Sequence, residues 1–250
     1  MTHIMFKVYY LFAVFILLAN CTQNSNKGFD YTMMKSEFQS ANCEPETDAC
    51  LMVTITYPQF DNGDTLAMFL ANRIIKNSIL DNIGMGDVEA AEDPSIEQAI
   101  EDLNKSFEEL KKDFSNYGTG WQVNIGAREL FRNDSVLVLT IGTMTYMGGA
   151  HPNSNIRYYN FDRNTGRFMP LVTFVDDLEH FTSSAEVEFR KTYNIKDGTS
   201  YDDAGFNFLG DNFTLSANYA YLGDSIRLHY NHYEISSYAA GDFEITVAIK

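Results

Sequence analysis

The chain has 250 residues, 45% of them hydrophobic, which is enough for one large domain or two small ones with a buried core. It carries 18 Lys and Arg against 34 Asp and Glu, so its formal net charge is −16. Such a surface repels nucleic acid and anionic lipid and attracts basic proteins, although a role in solubility alone explains the acidity equally well.

The first twenty residues, MTHIMFKVYYLFAVFILLAN, have the pattern of an export signal. Lys7 precedes an apolar run over 8–19, which is short for a membrane span and typical of a secretory signal. Cys21, in LLANC, resembles the lipidated cysteine of bacterial lipoproteins, although Asn20 replaces the usual small residue. We therefore expect a signal peptide over 1–20 and an exported protein. We expect it to face the periplasm or the cell surface and to contact the membrane only through a lipid anchor at Cys21. An ordinary cleaved signal is the alternative.

Residues 21–44 are predicted to be a lipid-anchored tether and the start of a disulfide loop. The polar tract TQNSNKG after Cys21 cannot bury enough apolar area to order itself. Cys43 and Cys50, in CEPETDAC, would meet an oxidising compartment, so we expect them to pair beside the first strand. Two thiols without a nearby histidine fall short of four metal ligands, and we expect no metal site.

Alternation of apolar and polar residues predicts a series of half-buried antiparallel strands. The predicted strands cover 52–57, 121–127, 135–146, 213–219, 226–230 and 243–249. The segment IRYYNFDRNTGRF follows the third of them and turns near Asn164 to Gly166.

Helical spacing predicts three helices. The first follows Asp64 as its N-cap, the second begins at Asp93-Pro94, and the third runs from Asp177 to about Tyr193. Their apolar stripes are Leu66, Phe69, Leu70, Ile74 and Ile75; Ile96, Ile100, Leu103, Phe107, Leu110 and Phe114; and Leu178, Phe181, Ala185 and Phe189. Because helices and strands segregate along the chain, we predict an α+β fold with helices packed on one face of an antiparallel sheet.

The stretch TYMGGAHPNS predicts a sharp turn after the strand that ends near Tyr146. Gly148 and Gly149 permit positive φ or close backbone approach, while Pro152 drives His151 toward an extended conformation. A general base at His151 would need a nucleophile or a polarised water beside it, and the sequence indicates no such partner. We therefore favour a structural His151 whose ring nitrogens bond to the backbone of the turn.

Signatures of catalysis or of a cofactor are not found. G-x-S-x-G, H-E-x-x-H and phosphate-loop patterns are missing. His229 and His232 are three apart in a predicted strand, so we expect them on opposite faces and unable to share a metal. Three Asp-Ser/Thr-apolar triplets, at 64–66, 134–136 and 224–226, are interpreted as caps or turns, with O-glycosylation as the alternative. We predict no catalytic residue, metal or cofactor.

Two blocks of this sequence resemble a known family. YMGGAHPNSNIRYYNFDRNTGR with LVTFVDDL, and the C-terminal LHYNHYEISSYAAGDFEITVAIK, are similar to the paired domains of unknown function of RsiV-type anti-sigma factors and PdaC-type peptidoglycan deacetylases. TITYPQF fits the start of the first domain. The resemblance covers about 45–250. It implies an N-terminal PdaC-like region over 45–164 and a C-terminal RsiV-like region over 165–250, which we expect to share one core.

The resemblance also implies a function. In RsiV-type proteins this extracellular region binds lysozyme, and in PdaC-type proteins it accompanies a separate catalytic domain. We expect this chain to have neither the cytoplasmic sigma-binding segment nor the deacetylase domain. It would then be a non-catalytic, lipid-anchored envelope protein that binds a basic lysozyme-like muramidase or peptidoglycan, and no nucleic acid.

Ligand contacts are expected around the Gly148 turn and in YNHYEISSY. The contact residues we predict are Asn153, Tyr230, Tyr233 and Tyr238, although the tyrosines have a core position as their alternative. The alternative function is an envelope hydrolase that acts on cell-wall glycan through paired carboxylates, with His151 as a helper.

Overall fold

The computed structural model describes residues 29–41, 43–46, 49–83, 93–114 and 117–249. These residues form three α-helices and eight strands in two sheets, so the predicted α+β class is confirmed. In chain order the elements are β1 (Asp30–Gln39), β2 (Leu51–Asn62), α1 (Thr65–Ile83), α2 (Ile96–Asp113), β3 (Trp121–Arg132), β4 (Val136–Tyr146), β5 (Asn153–Asp162), α3 (Leu178–Thr192), β6 (Tyr219–Tyr221), β7 (Ser225–Tyr230) and β8 (Phe243–Ala248).

The larger sheet has the strand order β1-β2-β3-β4-β5, and the smaller has the order β6-β7-β8. All neighbours are antiparallel except β2 and β3, which run parallel from Leu51↔Trp121 to Thr56↔Gly126. The connection between these two strands contains α1 and α2, the kind of long crossover that parallel neighbours require. Side-chain alternation is the same in both pairings, so the sequence does not reveal the parallel pair.

Part of the segment assigned to the tether is a strand. Residues 30–39 form β1, an edge strand antiparallel to β2 with Ser36 opposite Ile55. Met33 and Met34 are each 41% exposed, and this largely exposed strand lacks the apolar alternation by which the others were predicted. The predicted signal peptide, Cys21 and the tract over 22–28 lie outside the described residues.

The connection from β1 to β2 contains a disulfide. Cys43 and Cys50 are bonded with their Cα atoms 5.8 Å apart, and both side chains are buried. The bond closes a short loop beside the start of β2. Among the described residues, no helix is both long and apolar enough to span a membrane.

Helix α1 begins as predicted but buries a different face. The carboxylate of Asp64 accepts hydrogen bonds from the main-chain N–H groups of Leu66 and Ala67. The predicted stripe is wrong at its start, because Leu66 is 56% and Phe69 58% exposed, whereas Ile75 is buried as predicted. The buried face carries Ala67, Ala71, Ile75, Ile79 and Ile83. Two alanines let the first half of the helix lie close to the sheet, and a stripe of large residues does not show this.

The other two helices bury most of their predicted faces, but Phe114 and Leu178 are exposed, and α2 begins at Ile96 instead of at Asp93-Pro94. Ser95 caps α2 by accepting a hydrogen bond from the Gln98 N–H, and Asp177 caps α3 through the His180 N–H. The buried positions are Ile96, Ile100, Leu103 and Phe107 in α2, and Phe181, Ala185 and Phe189 in α3.

The strand predicted over 213–219 is wrong for most of its length. Only Tyr219–Tyr221 pairs with β7, while Phe213 and Leu215 pack against the core of the smaller sheet without joining it. The Thr214 carbonyl accepts its hydrogen bond from the Tyr230 hydroxyl at 2.8 Å. The apolar spacing here does not reflect a strand, since Ser216 is buried and Ala217 is exposed.

The buried apolar side chains of the described residues form three clusters. One lies between the larger sheet and α1 and α2, and a second, centred on Phe189, lies between the smaller sheet and α3. A third combines Val136, Val138 and Tyr158 of the larger sheet with Ala220 of β6. The predicted boundary between a PdaC-like region over 45–164 and an RsiV-like region over 165–250 stays a prediction.

Asparagine side chains join the outer edge of β5 to the C-terminal part of the chain. The Asn231 Oδ1 accepts the Ile156 N–H at 2.7 Å, and the Asn218 Oδ1 accepts the Tyr158 N–H at 2.8 Å. Asn160 donates to one main-chain carbonyl of β6 and accepts from one N–H, both at 2.8 Å. These side-chain amides satisfy an edge that would otherwise be unpaired, and they fix β5 against the smaller sheet.

Candidate functional site

The loop before β5 and the connection between β7 and β8 meet at the surface. Four rings and two further polar side chains converge there, and we call this group the His–Tyr patch. Its members are His151, Asn153, His232, Tyr233, Tyr238 and Asp242.

Three of the four rings, those of His151, Tyr233 and Tyr238, have planes within 36° of one another, whereas the His232 ring stands at 65° to Tyr233 and 79° to Tyr238. His151 stacks on Tyr238 with centroids 3.7 Å apart and planes 18° apart. The ring of Tyr233 lies 5.6 Å from that of Tyr238 at 36°, and 6.5 Å from that of His151 at 33°. The Tyr238 hydroxyl donates to the Pro152 carbonyl at 2.9 Å. Residues more than eighty positions apart in sequence therefore form one surface.

Both ring nitrogens of His151 have partners. Its Nδ1 lies 3.0 Å from the Pro152 carbonyl oxygen, and a carbonyl only accepts, so Nδ1 carries the proton. In the neutral ring Nε2 is then the acceptor, and the Tyr233 hydroxyl lies 3.4 Å from it. One nitrogen thus bonds to the turn backbone, and the other faces a patch tyrosine.

Of the two adjacent glycines, Gly148 is the one whose conformation requires glycine. Its φ is +87°, and a Cβ there would lie 2.6 Å from the Tyr117 hydroxyl oxygen. Tyr117 is itself held in place, because its hydroxyl accepts from Trp121 Nε1 at 2.7 Å. Gly149 is outside the left-handed region, and the nearest atom to its added Cβ is the His151 carbonyl oxygen at 3.8 Å. Of the two glycines expected to permit positive φ or close approach, Gly148 is the one that uses this freedom.

Tyr233 combines strain with exposure. Its φ is +70°, a region that bulky residues rarely adopt, and 61% of the residue is exposed. Neighbouring hydrogen bonds hold this conformation: the Glu234 N–H donates to the Asn231 carbonyl at 3.1 Å, and the His232 N–H donates to Asp242 Oδ1 at 2.8 Å. The fold maintains an unfavourable backbone conformation that directs a large ring to solvent.

Tyr230 does not belong to this surface. It is 3% exposed and packs against Phe189 and Phe208, each with centroids 5.9 Å away. Burial raises the pKa of its hydroxyl, which donates to the Thr214 carbonyl. The prediction of Tyr230 as a ligand contact is wrong, and its core alternative is what the structure shows.

The two histidines expected on opposite faces approach the same carboxylate. His232 Nδ1 lies 3.1 Å from Asp242 Oδ1, and His229 Nε2 lies 3.4 Å from Asp242 Oδ2. The expectation fails because β7 ends at Tyr230, so His232 lies in a turn and strand parity does not apply to it. Among the described residues, no group of three or more His, Cys, Asp or Glu side chains could hold a metal ion.

A separate groove of about 550 Å³ lies between β2, α1 and the start of α2. Sequence reasoning did not identify it. Its wall includes the ion pair of Lys76 with Asp93, together with Tyr57, Arg73 and Glu97. The hydrogen bond from Lys76 holds the pKa of Asp93 below its ordinary value. A carboxyl that acts as a general acid near neutral pH requires the opposite shift.

Comparison with known proteins agrees with the predicted resemblance. Residues 44–154 match the family model described as deacetylase PdaC, and residues 174–250 match DUF3298, a protein family of unknown function. The chain is therefore an α+β protein with paired PdaC and DUF3298 domains. The His–Tyr patch lies where they meet, because His151 and Asn153 fall in the first match and Tyr233, Tyr238 and Asp242 in the second.

Two solved structures share the fold. A DUF3298 family protein from Pseudomonas aeruginosa PAO1 is 17% identical with a TM-score of 0.62, covering 89% of this chain and 92% of that one. A DUF3298 family member from Bacteroides fragilis NCTC 9343 is 19% identical with a TM-score of 0.65 and the same two coverages, 89% and 92%. No curated protein matches this chain.

Proposed function

We propose that this protein is a non-catalytic, lipid-anchored binding protein of the cell envelope, which recognises a lysozyme-like muramidase or peptidoglycan through the His–Tyr patch. The observation that carries the proposal is Tyr233, a 61% exposed ring held at a φ of +70°. A strained backbone conformation at a residue that adds little to core packing indicates a functional role. Export and anchoring depend on the sequence over 1–21.

Two features support a muramidase as ligand. The net charge of −16 would steer a basic protein toward this chain. Exposed tyrosines are also frequent among the residues that dominate protein–protein binding energy. The lysozyme-binding role of RsiV-type proteins adds support by analogy of fold, which by itself does not assign a function.

Three carboxyls with basic neighbours are unsuited to act as the general acid of a hydrolase. The pKa values of Asp30, Asp93 and Glu129 all lie below their ordinary values. The pKa of Glu129 is lowered mainly by its hydrogen bond from Arg132. A glycoside hydrolase needs one carboxyl whose pKa is raised, so that it can donate a proton to the leaving group.

The proposal is tested by calorimetric titration of the full chain in detergent with a basic lysozyme, and separately with soluble peptidoglycan fragments. We expect binding of at least one ligand at physiological salt, with a negative heat-capacity change from apolar burial. Tyr233→Ala should weaken it, whereas Phe69→Ala, at a 58% exposed ring on α1, should not.

Three outcomes would contradict this function. Binding that disappears when salt is raised from low to physiological concentration would reduce the effect to unspecific attraction. Binding unaffected by Tyr233→Ala would remove the patch from the proposal. Release of new reducing ends from peptidoglycan by the wild-type chain would support the hydrolase instead.

A further inference from the structure

We infer that the His–Tyr patch is a saccharide site, in which Tyr233 and the stacked His151–Tyr238 pair receive the apolar faces of sugar rings. This inference rests on the proposed function and selects a glycan among its ligands. It names a ligand class, an uncharged saccharide, and a mode of binding, stacking on neighbouring rings.

The first support is the arrangement of the rings. A pyranose ring has a flat face of C–H groups that packs on an aromatic ring, and successive sugars need adjacent stacking positions. The ring planes of His151, Tyr233 and Tyr238 differ by 18° to 36°, so these three rings present similar faces. The centroid of Tyr233 is displaced by 5.6 Å from that of Tyr238, which gives two neighbouring positions instead of one.

The second support is the mixture of donors and acceptors around the rings. Sugar hydroxyls both donate and accept, and an N-acetyl group adds an amide. Among the described residues, the Asn153 amide nitrogen has no hydrogen-bond partner, while its Oδ1 lies 3.1 Å from His232 Nε2. The Tyr238 hydroxyl donates to Pro152 and keeps its oxygen as an acceptor. Polar groups beside flat rings are the usual composition of a specific small-ligand site.

The third support is local charge. The patch carboxylate, Asp242, already accepts the His232 N–H at 2.8 Å and lies 3.1 Å from the Nδ1 of the same ring. The Nε2 of the buried His229 lies 3.4 Å from its other oxygen. Because these internal partners occupy Asp242, it is not a free anionic group for the lysine and arginine side chains of a basic protein. The Asn153 amide and the Tyr238 hydroxyl are uncharged groups that suit sugar hydroxyls.

The fourth support is preorganisation. Tyr233 is fixed by hydrogen bonds on both sides, through Asn231 to β5 and through His232 to Asp242. The rings of His151 and Tyr238 are held by their mutual stacking and by the bonds of both to the Pro152 carbonyl. A ligand therefore meets a surface whose conformational entropy is already reduced, which favours binding by small neutral molecules.

The test uses the tetrasaccharide of β1,4-linked N-acetylglucosamine as the probe, titrated calorimetrically into the full chain in detergent. We expect Tyr233→Ala and Tyr238→Ala each to weaken binding by about tenfold, the order of loss for a deleted stacking ring. Tyr233→Phe should bind within about threefold of wild type, because it keeps the ring. Phe69→Ala is the matched control at an exposed ring outside the patch. Circular dichroism checks that each variant is folded.

The outcomes separate this inference from the proposed function. If the tetrasaccharide does not bind, or binds equally to both alanine variants, the saccharide site is overturned. If a basic lysozyme then binds in a way that requires Tyr233, the envelope-binding function stands with a protein as its ligand. If neither the tetrasaccharide, peptidoglycan fragments nor the lysozyme binds the folded chain, both proposals fail.

Discussion

Tyr233→Gly should be more stable than Tyr233→Ala, although both substitutions remove the ring. The left-handed conformation at φ +70° costs a residue with a Cβ about 1–2 kcal/mol. Alanine keeps that cost and loses the partial packing of the ring, so Tyr233→Ala should destabilise the fold by about 0.5–1 kcal/mol. Glycine removes the cost, and loses about 0.5–1 kcal/mol through its greater freedom in the unfolded chain. Tyr233→Gly should thus be about 1 kcal/mol more stable than Tyr233→Ala.

Differential scanning calorimetry measures this difference directly. For a chain of this size, 1 kcal/mol corresponds to about 2–4 °C in melting temperature, so the glycine variant should unfold that much above the alanine variant. The control is the same pair of substitutions at Val187, 67% exposed on helix α3, where the order should reverse because glycine disfavours a helix by about 1 kcal/mol. Equal melting temperatures for Tyr233→Gly and Tyr233→Ala would refute the reasoning that this tyrosine is strained. A glycine variant with wild-type ligand binding would show that the strain serves no ligand.

Three further predictions concern the turn before β5, the contact of β5 with β6, and the disulfide. Gly148→Ala should cost about 1–3 kcal/mol because of its positive φ, while Gly149→Ala should stay within about 0.5 kcal/mol, both measured by denaturant unfolding. Asn160→Ala leaves two buried main-chain groups of β6 without partners and should cost about 2–4 kcal/mol; a value below about 1 would mean that water replaces the amide. Joint replacement of Cys43 and Cys50 by serine opens a loop with a sequence separation of 7. It should lower the unfolding free energy by about 2–3 kcal/mol, because the unfolded chain gains conformational freedom. An unchanged unfolding free energy would mean that the disulfide constrains the unfolded chain little.

Periodicity predicted the elements that bury one regular face and missed those that do not. Strand β2 alternates from Leu51 to Ile55, and α2 repeats its apolar residues along one stripe, so both are readable from sequence. Helix α1 has apolar residues on more than one face, and the packed face is the one with Ala67 and Ala71, because small residues permit close approach. Helical spacing alone cannot rank two such faces.

The candidate site was predictable only where it depends on a local sequence pattern. The Gly-Gly-Ala-His-Pro order indicates a sharp exposed turn, which the structure contains. The three tyrosines of YNHYEISSY could not be told apart, because β7 ends at Tyr230 and the parity of the strand does not continue to Tyr233. The asparagine bonds to β5 join segments about sixty to seventy-five residues apart, and no local pattern encodes such a contact.

The position of the patch gives a physical reason why the two domains occur together. His151 and Asn153 lie in the segment that matches PdaC, while Tyr233 and Tyr238 lie in the segment that matches DUF3298. Each domain alone would expose one half of the ring stack, without the partner that orients it. The side-chain amides on the edge of β5 fix the strand that begins at Asn153 against the smaller sheet, so the ring spacing depends on the contact between domains. A ligand that uses rings from both halves would stabilise that contact by mass action, and loss of the contact would lower affinity without changing any ligand-binding residue.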